Sequence, residues 1–474
     1  MSLMLANLVF AVGICLLFYL DRDPLAKTSK ALWIPVAWLF LSGSRPFSLW
    51  LADFGLTSMP AGIDSPDQYL DGSPIDRLVY ITLLVLGLIA LSARKRRVWS
   101  LLRSNSLILL FFFYCAISVL WSDYPLVAFK RWIKSAGDPI MVMIILTDFG
   151  GIAALKRVFA RTAFLLIPIS VLYIKYHPDL GRGYNRWSYL PSYTGITLTK
   201  NMLGMVCLVF GLGVLWCFIA AWQHVAGKER KRRLIAHGVV LAMTFWLFWM
   251  ANSVTSLVCF ALAASLMVAV SFFETARKPL FLHSLVTTSA IVPLMALFSG
   301  SGAGIIESLG RDSSLTGRTG IWQAVLSVSG SPLFGTGFES FWMGDRLQKV
   351  WDMTAKGIQE AHNGYLEVYL NLGFIGLGLI IIMLVAGYRH VIAELRRDPI
   401  IGSLKLAYFV VAVVYNLSEA GFRELSLTWI TFLVAITLVP STPVPDSNFS
   451  PKLPPLKFSH RVKLTRPGEV RSPL

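Results

Sequence analysis

The chain has 474 residues, of which 55% are hydrophobic and only 15% charged, and its mean hydropathy is +0.63. That composition cannot clothe a water-exposed surface, so a soluble protein of two or three domains is excluded and an integral membrane protein is expected. The formal net charge of +17 would point to nucleic acid in a soluble chain, but the loops below assign it to topology, and no nucleic-acid partner is expected.

Uncharged stretches run from Asn201 to Gly227, Leu234 to Phe273, Leu280 to Ile306 and Val368 to Tyr388, each at least as long as the roughly 20 apolar residues that span a bilayer. Barrel strands would instead alternate in polarity over segments of about ten residues. The expected class is therefore an all-α polytopic membrane protein. In chain order, helices are expected at about 3–20, 31–50, 76–93, 105–121, 134–147, 158–175, 201–222, 234–250, 254–273, 280–298, 365–387, 402–416 and 425–439, about thirteen within a range of 12 to 14. Met1 to Leu20 lacks a basic leader and reads as a first spanning or interfacial helix. The segment Val127 to Lys134, which sets Lys130, Arg131 and Lys134 beside Phe129, Trp132 and Ile133, suits an interfacial helix.

One alternating set of loops holds Arg22, Lys27 and Lys30, then Arg94 to Arg103, Lys156 to Arg161, Lys228 to Arg233, Arg277 and Lys278, then Arg389, Arg396, Arg397 and Lys405, and six more in the tail. This set carries most of the 43 lysines and arginines and is expected to be cytoplasmic, which puts the N-terminus outside and the C-terminus inside. The tail 441–474, rich in proline, reads as disordered. The division expected is 1–175, N-terminal membrane helices; 176–440, a catalytic membrane region with external loops at 176–200 and 299–364; and the tail. All five cysteines lie in apolar segments, so neither a disulfide framework nor a zinc site is expected.

Three external stretches exceed the length of simple turns, and loops beyond about 12–15 residues are usually functional or disordered. The first, 51–75, carries Asp53, Asp64, Asp67 and Asp71 and reads as an acidic solvated loop. The second, Tyr176 to Lys200, holds Arg182, Arg186 and Lys200 among aromatic residues. The third, 299–364, holds Arg311, Arg318, Arg346, Lys349 and Lys356, and its Ile321, Trp322, Val325 and Leu326 suggest folding back against the membrane. Topology disfavours external cations, so these invite another explanation. Guanidinium forks match phosphate oxygens bidentately, and Arg182 and Arg318 sit in glycine-containing motifs that let backbone approach a ligand. The competing reading is a snorkelling or salt-bridged surface arginine. His362 opens a long apolar helix, followed by Asn363, Gly364 and Tyr365. It is either a neutral general base beside a helix N-terminus that favours an oxyanion, or a capping residue. No ligand cluster is visible in the sequence, so no metal and no cofactor are expected. There is no tandem repeat, P-loop or dinucleotide fingerprint.

Several strings together resemble the O-antigen ligase and polymerase superfamily, particularly exopolysaccharide polymerases of the succinoglycan type. They are Gly-Arg-Gly-Tyr-Asn-Arg-Trp (181–187), Tyr-Thr-Gly-Ile-Thr-Leu-Thr-Lys-Asn-Met-Leu-Gly (193–204), Ser-Val-Thr-Ser (253–256), Arg-Asp-Ser-Ser-Leu-Thr-Gly-Arg-Thr-Gly-Ile-Trp (311–322), Phe-Gly-Thr-Gly-Phe-Glu-Ser-Phe-Trp (334–342), the run from His362 to Gly376, and Asn-Leu-Ser-Glu (416–419). The resemblance implies an inverting, metal-independent glycosyltransferase of the GT-C type with a large periplasmic loop, in a bacterial inner membrane with its active site facing the periplasm. Its donor would be an undecaprenyl-diphosphate-linked oligosaccharide and its acceptor a glycan hydroxyl. A chain-length regulator, export machinery and membrane lipids are the further partners implied. Arg182 and Arg318 match the family's diphosphate-binding arginines, Lys200 a basic position before the next helix, and His362 the histidine that assists the acceptor. Arg186 before Trp187 departs from the pattern and leaves both Arg182 and Arg186 as candidates, with Arg311 beside them. Asn363, Tyr365 and Glu419 are candidates for acceptor or structural roles. A diphosphate leaves as a weak base, so positive charge matters more than a general acid. The hydroxyl proton would go to His362, or to Glu339 or Asp312, the latter two equally readable as salt-bridge partners. A ligase that moves a finished glycan to lipid A core or protein is the runner-up. A transporter of lipid-linked sugars, the reading from a different class, would carry mid-membrane charges and repeated halves.

Overall fold

The structure, a computed structural model, describes residues 2–57, 72–184, 191–298 and 315–440. Arg186, Arg311 and Asp312, the acidic Asp64, Asp67 and Asp71, and the tail 441–474 lie outside the described residues. The described chain is an all-α polytopic membrane protein apart from one short hairpin.

Helix starts follow local chemistry. The Ser73 hydroxyl caps α4 (Pro74–Ser92), with proline in its first turn. Thr199 caps α11 (Lys200–His224), Asn363 caps α17 (Gly364–Arg397), and Asp398, followed by Pro399, caps α18 (Pro399–Tyr415). Each side chain accepts an N–H that the first turn leaves without a partner. The other elements are α1 (Leu3–Leu20), α2 (Trp33–Ser42), α3 (Phe47–Asp53), α5 (Lys95–Ser104), α6 (Ser106–Ser118), α7 (Pro125–Ser135), α8 (Gly137–Leu146), α9 (Ile152–Tyr176), α10 (Pro178–Gly181), α12 (Gly227–Ala251), α13 (Val254–Phe272), α14 (Pro279–Phe298), α15 (Leu315–Ser327), α16 (Gly344–Met353) and α19 (Leu427–Ile436). Strands β1 (Arg182–Tyr184) and β2 (Pro191–Tyr193) pair antiparallel, with Arg182 opposite Tyr193.

Against the thirteen expected spans, seven helices among the described residues are long and apolar enough to cross a bilayer, or eight if α5 and α6 form one span bent by 85°. The difference has local causes. The stretch 31–50 breaks at Gly43 to Pro46 into α2 and α3, since proline cannot continue a helix from within. Helices α8, α18 and α19 have 10, 17 and 10 residues. All three fall below the 18 residues counted as a span, and α19 is buried along its whole length.

The core runs through α9 and α11, whose apolar windows are 78% buried, whereas those of α1 and α4 are 11% and 17% buried. Leu78, Ile81, Val85, Leu88 and Ile89 of α4 are exposed, which lipid accommodates. A second apolar cluster stands apart: Val325 of α15, Phe341, Trp342, Leu347 and Val350, Ala361 and Leu370, with Ile321 and Trp322 against it. Ile321, Trp322 and Val325 pack with Leu366, Tyr369 and Leu370 in the first turns of α17. They close a small protein core of their own, while Leu326 is exposed.

α17 is opened at Gly373, whose φ is 64°. The freed backbone groups are taken by the preceding loop: Phe374 N donates to Pro332 O at 2.9 Å, Thr336 N to Leu370 O at 3.1 Å and Gly337 N to Asn371 O at 2.9 Å. A Cβ on Gly373 would fall on the backbone of Leu333, and one on Gly335 on that of Asn371. Gly335 of the Phe-Gly-Thr-Gly string and Gly373 of α17 thus form a close backbone crossing. Gly373→Ala combines a left-handed φ with that clash and is expected to destabilise the fold by about 2–4 kcal/mol, read as a lowered thermal midpoint in detergent.

Candidate active site

At the bundle end opposite the basic loops, three segments converge: the turn before α17, the 416–426 loop between α18 and α19, and α15. Asn416 fixes their register. Its Oδ1 accepts from Gly421 N at 2.9 Å and Phe422 N at 2.8 Å, and its carbonyl accepts from Gly364 N at 2.9 Å. Trp322 Nε1 donates to Ala361 O at 2.8 Å and ties α15 to the same turn. Glu367 accepts from Ala361 N at 2.5 Å and from Trp342 Nε1 at 2.8 Å, so the residue before His362 is held on both sides.

His362 Nδ1 lies 3.0 Å from Glu360 Oε1 and 3.3 Å from Glu419 Oε2. Arg318 Nη2 lies 3.4 Å from Glu419 Oε1, and Arg423 Nη1 3.6 Å from Glu360 Oε2. The five side chains form an alternating row, Arg423, Glu360, His362, Glu419, Arg318. Both carboxylates meet the ring at Nδ1. Burial works against the imidazolium, but hydrogen bonds and attraction from Glu360 and Glu419 outweigh it and push the His362 pKa up to about 10. Burial likewise opposes ionisation of Glu360, yet His362, Arg423 and Arg318 hold its carboxyl below the usual range. At neutral pH the row therefore carries three cations and two carboxylates.

Two features bear on the sequence expectations for His362. The flanking carboxylates of Glu360 and Glu419 favour the protonated ring over the neutral base. The helix N-terminus beside it is already used: Asn363 Oδ1 accepts from Leu366 N at 3.0 Å and Asn416 takes Gly364 N, so those two N–H groups are not open to an oxyanion. Asn363 is thus the helix cap, and Tyr365 donates to Val413 O at 3.1 Å and packs edge-on to Phe422. Both serve structure, whereas Glu419 is central to the row.

Other expected residues lie elsewhere. Arg182 sits on the exposed hairpin, where its Nε donates to Ile174 O at 3.0 Å and its guanidinium lies 5.7 Å from the Tyr193 ring centre. Gly181 beside it abuts the backbone of Tyr173, so that glycine serves packing rather than ligand access. No hydrogen bond or ion pair joins Arg182 to the row among the described residues. Lys200 is the first residue of α11. Glu339 borders the site on the loop that Asn371 pins through Ser340 N and Phe341 N at 2.9 and 3.0 Å. Backbone strain marks the same place: among the described residues four non-glycines have positive φ, and Glu339, His362 and Leu425 (49°, 50° and 59°) are three of them. Such conformations cost roughly 1–3 kcal/mol each and cluster at functional sites.

Sequence reading missed Glu360, Glu367 and Arg423. The available signals were an acidic residue two before His362, another in the first turn of α17, and the Arg-Glu pair just past the 416–419 string. It also missed a cluster: oxygens of Glu360 and Glu419 and a nitrogen of His362 lie within 4.8 Å of one another, which corrects the premise that no metal-ligand grouping exists. The grouping escaped notice because Glu419 is 57 residues from His362. Charge decides its reading. A divalent ion there would have to displace the imidazole proton and face Arg318 and Arg423, whose guanidiniums already pair with the same carboxylates. Chelation with EDTA is expected to leave turnover unchanged, and a loss restored by one particular divalent ion would reverse that reading.

Comparison with known proteins now adds to the geometry. Residues 194–381 match the O-antigen ligase family. The O-antigen ligase match includes Lys200, Arg318, Glu339, Glu360 and His362 and stops short of Glu419 and Arg423. Over 302 residues the chain is 26% identical to the exopolysaccharide production protein ExoQ of Rhizobium meliloti (strain 1021), covering 61% of this chain and 66% of that relative, just under two thirds of its length. Both findings agree with the superfamily to which the sequence strings point.

Proposed function

We propose that this protein is a glycosyltransferase that polymerises exopolysaccharide or O-antigen repeat units at the external, periplasmic face of a bacterial inner membrane. A glycan carried on undecaprenyl diphosphate is transferred, with inversion, to a sugar hydroxyl. The observation that carries the reading is the alternating row Arg423–Glu360–His362–Glu419–Arg318, set at the bundle end opposite the basic loops and largely inside the O-antigen ligase match.

The chemistry follows from the charges. As the bond from the anomeric carbon to the diphosphate breaks, negative charge grows on phosphate oxygens, and Arg318, Arg423 and the imidazolium supply the opposing charge. The attacking hydroxyl becomes strongly acidic once its oxygen bonds to the anomeric carbon, so a carboxylate is base enough. Its proton passes to the Glu360–His362–Glu419 unit, which behaves as one coupled acid–base group. The imidazolium holds the two carboxylates apart and in register.

The decisive experiment incubates the purified protein with a defined undecaprenyl-diphosphate oligosaccharide. Longer lipid-linked products support polymerisation. Transfer only to a lipid A core or protein acceptor would make it a ligase, and the absence of any new glycosidic bond would remove the enzymatic reading in favour of a transporter.

A further inference from the structure

Asp138, the second residue of α8, stands outside the row and is fully buried. Its two oxygens hold two elements that are distant in the chain: Oδ1 accepts from Trp38 Nε1 of α2 at 2.9 Å, and Oδ2 accepts from Leu425 N at 3.1 Å. The residue before it seats the indole, since a Cβ on Gly137 would fall 2.1 Å from the Trp38 ring. Tyr80 of α4 packs edge-on to the same ring at 5.1 Å. Both donors to Asp138 are neutral. Burying a carboxyl among neutral partners is costly, and an apolar side chain would fill such a space at less cost. What Asp138 contributes is the placement of its two donors.

Leu425 is where that placement matters. Ser426 N donates to Arg423 O at 3.3 Å, which closes a turn over Arg423, Glu424, Leu425 and Ser426 whose third residue has a φ of 59°. Glycine is favoured at such a position. A leucine there costs roughly 1–3 kcal/mol and persists only where its surroundings over-determine it. Asp138 supplies one restraint, on the Leu425 N–H, and Lys134 of α7 a second, 2.7 Å from Glu424. The first residue of the turn is Arg423, whose guanidinium stands 3.6 Å from Glu360 at the end of the row. Relaxing Leu425 toward negative φ would reopen the turn and release Arg423 from that register. Helices α2, α7 and α8 all precede the stretch that matches the O-antigen ligase family, so it is through this turn that the N-terminal helices reach the row.

We infer that Asp138 is a positioning residue for the transfer reaction: through Leu425 N it holds the 423–426 turn in its left-handed form and so keeps Arg423 against Glu360. It acts through the backbone of that turn, not by contact with the reacting groups. The inference rests on the proposed function for the part that Arg423 plays, opposing the charge that grows on the departing diphosphate.

The test uses the full chain in detergent or nanodiscs, with transfer from a defined undecaprenyl-diphosphate oligosaccharide and hydrogen exchange of the 423–426 amides measured on the same folded preparations. Asp138→Asn is isosteric but offers one acceptor to two donors. It is expected to lower kcat by about ten-fold or more per folded molecule and to leave donor KM within about two-fold. Exchange of the 423–426 amides should quicken while those of α9 and α11 keep their protection. Trp38→Phe removes only the other donor to the same carboxylate. It loses a buried hydrogen bond as well, yet its kcat and its exchange in the turn are expected to stay within about two-fold of wild type. In an Arg423→Gln background, Asp138→Asn should cost nothing further, because the group it misplaces is already gone. Equal losses per folded molecule in Asp138→Asn and Trp38→Phe, or additive losses in Asp138→Asn/Arg423→Gln, would make Asp138 a structural residue alone and overturn the inference. So would rapid exchange of the 423–426 amides in the wild type, a measurement that needs no variant. If the wild type forms no glycosidic bond, the proposed function fails, and exchange still decides whether Asp138 holds the turn. If transfer proceeds and Asp138→Asn keeps the wild-type kcat, the positioning role fails and the proposed function stands.

Discussion

His362→Ala is expected to lower turnover by about 10² to 10⁴-fold while leaving donor affinity nearly intact. The residue sits between two carboxylates, at 3.0 and 3.3 Å, and its removal leaves Glu360 and Glu419 to repel each other across the gap. A capping role alone predicts a different outcome, a loss of folded protein with activity proportional to what remains folded, but the cap of α17 is Asn363. The pH profile separates the two protonation states. With the ring pushed up to about 10, turnover that needs the imidazolium falls as pH rises through that value. Turnover that needs a neutral base would instead climb toward it. Stability has the same sign: the raised pKa contributes fully below the unfolded value of about 6.5 and is lost as pH rises through about 10. The depressed Glu360 acts oppositely, contributing above its ordinary carboxylate value and losing that contribution as pH falls through the lowered one. A rising alkaline limb in single-turnover experiments would return His362 to the role of neutral base.

Arg318→Lys is expected to lose most activity, by about 10²-fold or more, although it keeps the charge. The guanidinium lies 3.4 Å from Glu419 and is 27% exposed, which leaves part of its fork available to phosphate oxygens. An ammonium offers one point contact and cannot serve carboxylate and phosphate in the same plane. The loss should fall on kcat more than on donor KM, because the charge being stabilised develops as the bond breaks. Arg182→Ala tests the hairpin separately. Near-wild-type turnover in both variants would remove the arginines named from the sequence and leave the diphosphate to the Arg423 side.

The all-α membrane class was legible because hydropathy over some twenty residues is a strong and local signal, and α9, α11, α12, α13 and α17 fall close to where the apolar runs place them. Burial among helices and exposure to lipid demand the same composition, so the sequence does not separate a short buried helix such as α19 from a longer span. At the site, His362 and Glu419 stood in recognisable strings, but their pairing did not, because 57 intervening residues hide it. The protonation of His362 depends on that pairing and was unreadable for that reason. Arg423 was passed over because an arginine beside a glutamate reads as a surface pair.

The elbow between α5 and α6 has a consequence for the bilayer itself. α6 and the turn that extends it, Ser106 to Trp121, form one limb of that 85° bend, and 16 residues at 1.5 Å each rise about 24 Å. A hydrocarbon layer is about 30 Å thick. The flanks offer no extra length, because α5 turns away with Lys95, Arg96, Arg97 and Arg103 at one end and α7 begins at Pro125 with Lys130, Arg131 and Lys134 at the other. Leu109, Leu110, Phe113, Ile117 and Leu120 are exposed along the short rise, so the apolar face offered to a bilayer is shorter there than the hydrocarbon it would meet, a mismatch that lipid accommodates by local thinning.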